Sequence, residues 1–278
     1  MADAPKIDPM HQFLVHKIVD LPPIHIGGFP LDMSITNSVM MMLIGLVLLI
    51  AFIVLTARGE VVPNRAQALG EAVFNIVDRV LVLPIIGPGG RPYVPFIFSL
   101  FMLILVLNLM SVVFALGNIA GLELTFTVTA QLAVTATLAV IAFFSVFILG
   151  FVKHGPKFLG LFFPSGMGFF GALAMAPIEM LSYFVRPITL AMRLFGNMLG
   201  GHVVMSLFGS FVVALGLLAI NDGFGNLSDL ALIPSVLSLL MIIALTGLEL
   251  VVAVLQAFVF AALTTVYLNE VVNFGHGH

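Results

Sequence analysis

The chain contains no cysteine, which excludes disulfides, thiolate chemistry and cysteine-ligated metal sites. Charge is almost as scarce. Only 8% of the 278 residues are Asp, Glu, Lys or Arg, against about 25% in an ordinary soluble domain, so there is too little polar surface to face water all round. The ten basic residues form no cluster able to grip a phosphate backbone, and the formal net charge is only −3, so nucleic acid is not an expected partner. No phosphate loop, nucleophile elbow or zinc-protease motif is present. His202 lacks a second ligand at i+3 or i+4, and the terminal His276-Gly277-His278 reads as a solvated tail; neither a metal nor a cofactor is expected. The opening MADAPKIDPMHQFLVHKIVD has no compact apolar core behind a basic start, as a cleaved signal peptide would. Residues 1–32 read instead as an aqueous or interfacial arm, either irregular or a short amphipathic helix.

Apolar residues fill the space that charge leaves. They make up 61% of the chain, with mean hydropathy +1.23, which indicates an all-α polytopic membrane protein. Five segments are long enough for the roughly 20 residues a spanning helix needs. They run from about Ser34 to Ala57, with Asp32-Met33-Ser34 as the expected cap, Val94 to Leu116, Thr125 to Val152, Phe169 to Ile220 and Leu230 to Val272. The stretch Asn64 to Leu83 is different. It alternates Arg65, Gln67, Glu71, Asn75, Asp78 and Arg79 with Ala68, Leu69, Val73, Ile76, Val77 and Val80, giving a helix with one apolar face that suits the interface.

The last two segments exceed the length rule. Fifty-odd helical residues at 1.5 Å each reach roughly 75 Å, against about 30 Å of hydrocarbon. Two such helices joined by NDGFGNLSD predict a strongly tilted hairpin that needs a packing partner. The whole reads as one membrane domain, 1–278: arm 1–32, peripheral helices 33–153 and hairpin 165–275. Arg58, Arg65, Arg79, Arg91, Lys153 and Lys157 fall in loops on one side, and Glu123, Asp222 and Asp229 on the other. The positive-inside rule places the basic loops in the cytoplasm or its matrix equivalent, with the N-terminus outside and the C-terminus inside.

Within the hairpin, polar residues line up. Positions seven apart differ by only about 20° around a helix. Glu179, Arg186 and Arg193 are so spaced, and Asn197, Ser182 and Tyr183 join their stripe. On the last helix Glu249 and Gln256 are seven apart, and Tyr267 and Glu270 continue the line. Glycines 196, 200 and 201 allow close approach of another backbone near Arg193. A guanidinium keeps its proton in a protein, and a cation at membrane depth costs at least about 2.5–3.5 kcal/mol unless it faces protein or water. Bland readings compete here: Glu179–Arg186 as a structural ion pair, His202 as an interhelical hydrogen-bonding residue, Gln256 on a backbone carbonyl. No acid lies three or four residues from Arg193 on its own helix, so its partner is expected on the next helix or another subunit. Counting from the loop near Gly225, His202 and Glu249 lie at equal rises on the two arms and are expected side by side.

A fixed charge flanked by titratable Glu and His is a proton-pathway constellation. RPITLAMRLFGNMLGG, then LQAFVFAALTTVYL about fifty residues on, together with NLM at 108–110 and IEMLSYFVRP, resemble subunit a of the F-type ATP synthase membrane sector, of the alphaproteobacterial or mitochondrial-like type. The resemblance implies that Arg193 faces the carboxylates of the c-ring and that Asn197 and Gln256 are polar neighbours. It implies that His202 and Glu249 form a coupled pair on the uptake side, and that Glu179 and Ser182 belong to the exit path, with Arg186 and Tyr267 as secondary polar residues. Ser111 departs from it, standing where many members carry an acid. The implied partners are the c-ring, the subunit b stator stalk, other membrane-sector subunits, lipid and protons. The implied setting is a bacterial or mitochondrial inner membrane, and the subunit is itself non-catalytic. Two readings of other classes compete: a stand-alone proton-coupled transporter, which predicts inverted repeats that the sequence lacks, and an inert membrane anchor.

Overall fold

A computed structural model describes residues 15–20, 24–26, 29–31, 34–57, 59–60, 62–116, 127–163, 169–221 and 228–274. Residues 1–14, Arg58, 117–126 with Glu123, 164–168, 222–227 with Asp222, and 275–278 with the His-Gly-His tail lie outside them. Among the described residues, five helices are long and apolar enough to cross a membrane.

The described part of the N-terminal arm is not helical. Strand β1 (Lys17–Val19) pairs antiparallel with β4 (Ile35–Thr36), and β2 (Ile24–Ile26) with β3 (Phe29–Leu31). The physical reason is local: the β-branched Ile24 and Ile26 precede Gly27-Gly28, a dipeptide suited to hairpin turns, the aromatic Phe29 follows it, and Pro30 opposes helix. Helix α1 (Asn37–Thr56) follows at once. Its cap lies later than the expected Asp32-Met33-Ser34: Thr36 Oγ1 accepts from Val39 N at 3.4 Å, and Asn37 Oδ1 accepts from Ser38 N at 3.0 Å and His16 N at 3.3 Å.

Helix α2 (Arg65–Asn75) starts where Asn64 Oδ1 accepts from Arg65 N. It runs on through a π-helical stretch, Ile76–Val82, into α3 (Leu83–Ile86), which Gly87 ends at φ 86°. The expected amphipathic segment is thus one continuous rod with a π-helical stretch, a form of helix met chiefly as local bulges. Helix α4 (Val94–Leu116) has the expected limits. Helix α5 (Leu132–His154) begins later than the expected Thr125. The β-branched Val128 and Thr129 disfavour helix, and residues 128–130 form a buried 3₁₀ turn instead.

Helix α6 (Phe169–Asn221) is 53 residues long and runs through Pro177 and Pro187; α7 (Ser228–Val272) is 45 residues long and runs through Pro234. At 1.5 Å per residue they reach about 80 and 68 Å.

The chain divides into two compact units, and α1, α4, α6 and α7 each contribute to both. The first comprises Met1–Ile44, Leu107–Gln131 and Phe195–Val254. Within it, α6 and α7 run antiparallel, as contacts from Met205 to Thr246 and from the Val212 carbonyl to Ser235 show. Asn108 of α4, wholly buried, donates Nδ2 to the Ala253 carbonyl of α7 at 3.2 Å.

The second unit comprises Gly45–Val106, Leu132–Leu194 and Leu255–His278. Its densest region is aromatic: Phe143, Phe147 and Phe151 of α5 meet Phe158 and Phe162 of the next 3₁₀ turn and Tyr183 and Phe184 of α6. Gly150 makes this possible, since a Cβ there would lie 2.6 Å from the Phe158 ring. The end of α7 is held from outside the helix. Lys153 Nζ donates to Val272 O at 2.9 Å, His154 Nε2 bonds Val271 O at 2.8 Å, and Asn273 Nδ2 donates to Ile86 O at 3.2 Å. These donors satisfy carbonyls that a helix C-terminus leaves open, and Lys153 adds a cation at the negative end of the dipole.

Candidate functional site

The first unit brings together the acid and imidazole whose sequence positions predicted contact. His202 Nε2 lies 3.3 Å from Glu249 Oε1, with the two residues 2% and 3% exposed. Antiparallel helices of equal rise put them at one level, which is why counting from the turn located them. The pair is in contact but poorly aligned, and neither Glu249 oxygen receives a hydrogen bond from a described residue. Beside the carboxylate is a cavity of about 180 Å³ lined by Asn197, Gly201, Leu245, Leu248, Glu249 and Val252. Its walls are mostly apolar, with Asn197 and Glu249 as the polar groups, and a cavity of that size has room for several waters, the ordinary partners of buried groups that lack a protein donor.

Gly201 leaves the room that the carboxylate occupies. A Cβ there would stand 2.8 Å from Glu249 Oε1 and 3.2 Å from Cδ. The sequence suggested that glycines 196, 200 and 201 admit another backbone. Within this chain Gly201 admits a side chain, while a Cβ at Gly196 or Gly200 would meet nothing within 4 Å among the described residues, which leaves those two facing open space. Asn197, which lines the cavity, is exposed on its other side.

The second unit holds Arg193, Gln256, Glu179, Ser182, Arg186 and Tyr267. Arg193 is exposed on α6, flanked by the buried Leu190, Ala191 and Leu194, and no acid among the described residues lies within ion-pair reach. The alternative of a partner on the next helix is therefore not met among them. Gln256 is 4% exposed, Ser182 is exposed and Glu179 is half-buried.

Arg186 corrects the sequence reading. Its ion-pair partner is Glu270 of α7, with Nη1–Oε2 at 2.5 Å, rather than Glu179 on its own helix. A spacing of seven leaves two side chains two turns apart, about 10 Å along the axis, whereas a facing helix supplies an acid at the same level. The guanidinium carbon also lies 5.0 Å from the ring centres of both Tyr183 and Tyr267. Glu270 is the residue that sequence reasoning left without a role, although it stood on the stripe of Tyr267. Tyr183 is buried by the aromatic cluster, and its hydroxyl has no protein partner among the described residues.

This geometry can hold and pass protons at the Glu249–His202 pair, and it presents a permanent cation, Arg193, at an exposed helix face. Comparison with known proteins then places the chain. Residues 38–269 match the family model described as ATP synthase A chain. A protein named ATP synthase subunit a from Mesorhizobium japonicum is 40% identical over 274 residues, 98% of this chain and 99% of the relative. Relatives of the same name from Rhodopseudomonas palustris strain TIE-1 and Azorhizobium caulinodans are each 41% identical, over 269 and 272 residues, covering 97% of this chain and 99% of each relative. With matches of that length and identity, the chain belongs to the ATP synthase A chain family.

Proposed function

We propose that this chain is the stationary proton-channel subunit of a rotary ATP synthase, that it faces a ring of carboxylate-bearing c subunits, and that it catalyses no bond chemistry itself. The observation that carries the reading is the buried Glu249–His202 contact beside a cavity to which Asn197 and Glu249 contribute the polar groups. A proton arriving from the outer side is taken up at this pair and delivered to a ring carboxylate, which, once neutral, can turn through lipid. After nearly a full turn the carboxylate meets the other half-channel and releases its proton past Ser182 and Glu179. Arg193 stands between the two paths. Its charge stabilises the ionised carboxylate and repels any proton that would cross directly, and its exposure without an acid partner among the described residues supports that role. Asn197, four residues on, and Gln256 of α7 supply polar neighbours, and Arg186 and Tyr267 form the half-buried cluster with Glu270. Each proton crossing 100 mV yields about 2.3 kcal/mol, so several act in succession for each ATP made elsewhere in the complex.

The same reading takes the chain as one membrane domain, with an arm at 1–32, peripheral helices at 33–153 and a hairpin at 165–275 lying tilted against the ring. It sits in a bacterial inner membrane or the mitochondrial equivalent, N-terminus outside, beside subunit b and the other membrane-sector subunits. The test is proton flux per assembled complex in inverted vesicles. Glu249→Gln should lower flux strongly while assembly persists, and exchanging the pair (His202→Glu with Glu249→His) should restore part of it. Unchanged flux per complex in Glu249→Gln would remove this residue from the path, and loss of assembly alone would make the pair a static clamp.

A further inference from the structure

Arg186 lies seven residues before Arg193 on α6, about 10 Å along the axis and about 20° around it. Between the two the helix has a weak point. Pro187 carries no N–H, so the bond that would reach the Tyr183 carbonyl does not exist, and the ladder is interrupted just where α6 leaves its aromatic anchor. That anchor is Tyr183 and Phe184 against Phe143 and Phe147 of α5. It holds the near side of the interruption, while Arg193 stands on the far side. There Leu190, Ala191 and Leu194 are buried, again by apolar contact, which has no preferred direction.

The directional tie sits at the weak point itself. Arg186 Nη1 donates to Glu270 Oε2 of α7, and the guanidinium carbon lies 5.0 Å from the ring centres of Tyr183 and Tyr267, one ring from each helix. A planar fork held by a carboxylate and by two rings is fixed in orientation as well as in place. Glu270 is itself on held ground. One and two residues further on, His154 and Lys153 of α5 bond the carbonyls of Val271 and Val272. Contacts therefore run from α5 through the end of α7 and the ion pair to the turns that carry Arg193. Tyr267, which touches Arg186, is also within electrostatic reach of Arg193.

The role proposed for Arg193 creates the need for such a tie. A stationary cation that attracts the ionised carboxylates of a turning ring is pulled sideways as each one passes. Arg193 meets that pull on an exposed face, with no acid among the described residues within ion-pair reach. We infer that Arg186 is a positioning residue for Arg193: paired with Glu270 and clasped by the two tyrosines, it braces α6 against the pull of the ring. The inference rests on the proton-channel reading and gives a task to a cluster that the reading leaves without one.

The test measures protons pumped per ATP hydrolysed by the assembled complex in inverted vesicles, with and without an opposing pH gradient. The ratio of the two values is the sensitivity to load. Arg186→Ala should assemble, because the aromatic anchor remains, and should be about tenfold more sensitive to load than the wild type, as expected when one charge-assisted tie is lost. Arg186→Lys keeps the charge but not the planar fork and should fall between them. A general packing defect would instead lower pumping by the same factor with and without the gradient. That result in Arg186→Ala, or a wild-type sensitivity, would overturn the proposal. Glu270→Gln, neutral and of the same size, replaces Arg186→Ala if that variant does not assemble; failure of both to assemble would make the pair a folding element and overturn the brace. Arg193→Lys is the reference for the underlying reading. Normal pumping in it would sink both claims. Uncoupling in it beside a wild-type sensitivity in Arg186→Ala would leave the reading standing and remove the brace alone.

Discussion

Gly201→Ala sets two structural effects against each other and separates stability from conduction. The new methyl carbon would lie 2.8 Å from Glu249 Oε1, where an ordinary contact begins at 3.4 Å, so the carboxylate must retreat by a little over half an ångström. It can do so without the backbone, because it ends a flexible side chain and borders a cavity of about 180 Å³. Holding that side chain off its preferred rotamer costs about 0.5–1.5 kcal/mol. Alanine in place of a helical glycine returns about 0.5–1 kcal/mol, so the amount of assembled complex should stay near the wild-type level. Conduction has no such compensation. The 3.3 Å contact with His202 lengthens, and an interaction worth about 1–2 kcal/mol is weakened just where the proton is passed. A loss of that size corresponds to a fall of roughly tenfold in proton flux per assembled complex. Flux is read from the decay of an imposed pH gradient in inverted vesicles and normalised to complex by immunoblot. Gly209→Ala, on the same helix with nothing within 4 Å of its Cβ, serves as the control and should leave both quantities unchanged. Wild-type flux per complex in Gly201→Ala would refute the claim that the placement of this carboxylate governs conduction.

Arg193→Lys and Arg193→Ala should both assemble and both fail to couple proton flow to ATP synthesis, since an ammonium lacks the planar fork and can release its proton; normal proton-driven synthesis in the lysine variant would contradict this. Arg186→Ala or Glu270→Ala should each cost about 1–2 kcal/mol, a buried-pair penalty discounted for exposures of 24% and 31%, seen as a lowered thermal midpoint of the complex. The exchanged pair, Arg186→Glu with Glu270→Arg, should recover part of the loss, and a double-mutant cycle with no coupling would show that the two residues act independently. Accessibility labelling at residues 3 and 276 should find them on opposite faces of the membrane, as five crossings require.

Much of this molecule is legible from periodicity and length because a bilayer imposes both. The limits of α4, the capping by Asn64 and the unusual lengths of α6 and α7 follow from rules that act along one helix. The His202–Glu249 contact needed only one further assumption, that the two arms rise equally from their turn. Partner choice at Arg186 was not legible in the same way. Helix geometry alone sets Glu179 about 10 Å along the axis from Arg186, but which acid of a facing helix meets the guanidinium depends on the rotation of α7 about its own axis, and packing fixes that rotation. The same holds for Gly201, whose purpose depends on a side chain 48 positions further along. The strands near residues 17–36 were missed for a different reason: the Gly27-Gly28 hairpin signal was present, but the arm was read only as irregular or a short amphipathic helix.

The clamp on the far end of α7 makes that helix a ruler with its zero at Lys153 and His154. Because those side chains grip the carbonyls of Val272 and Val271, the azimuth of Gln256 and Tyr267 is set by the number of residues back from the grip. Inserting or deleting one residue between Gln256 and Val271 would turn Gln256 by about 100° and shift it by about 1.5 Å, taking it off its buried face although every side chain was preserved. Length in this stretch is therefore as constrained as identity. A whole-turn change of seven residues would restore the azimuth to within about 20° yet leave the depth wrong by roughly 10 Å. No indel satisfies both coordinates at once, so this helix can vary by substitution while its residue count is held fixed.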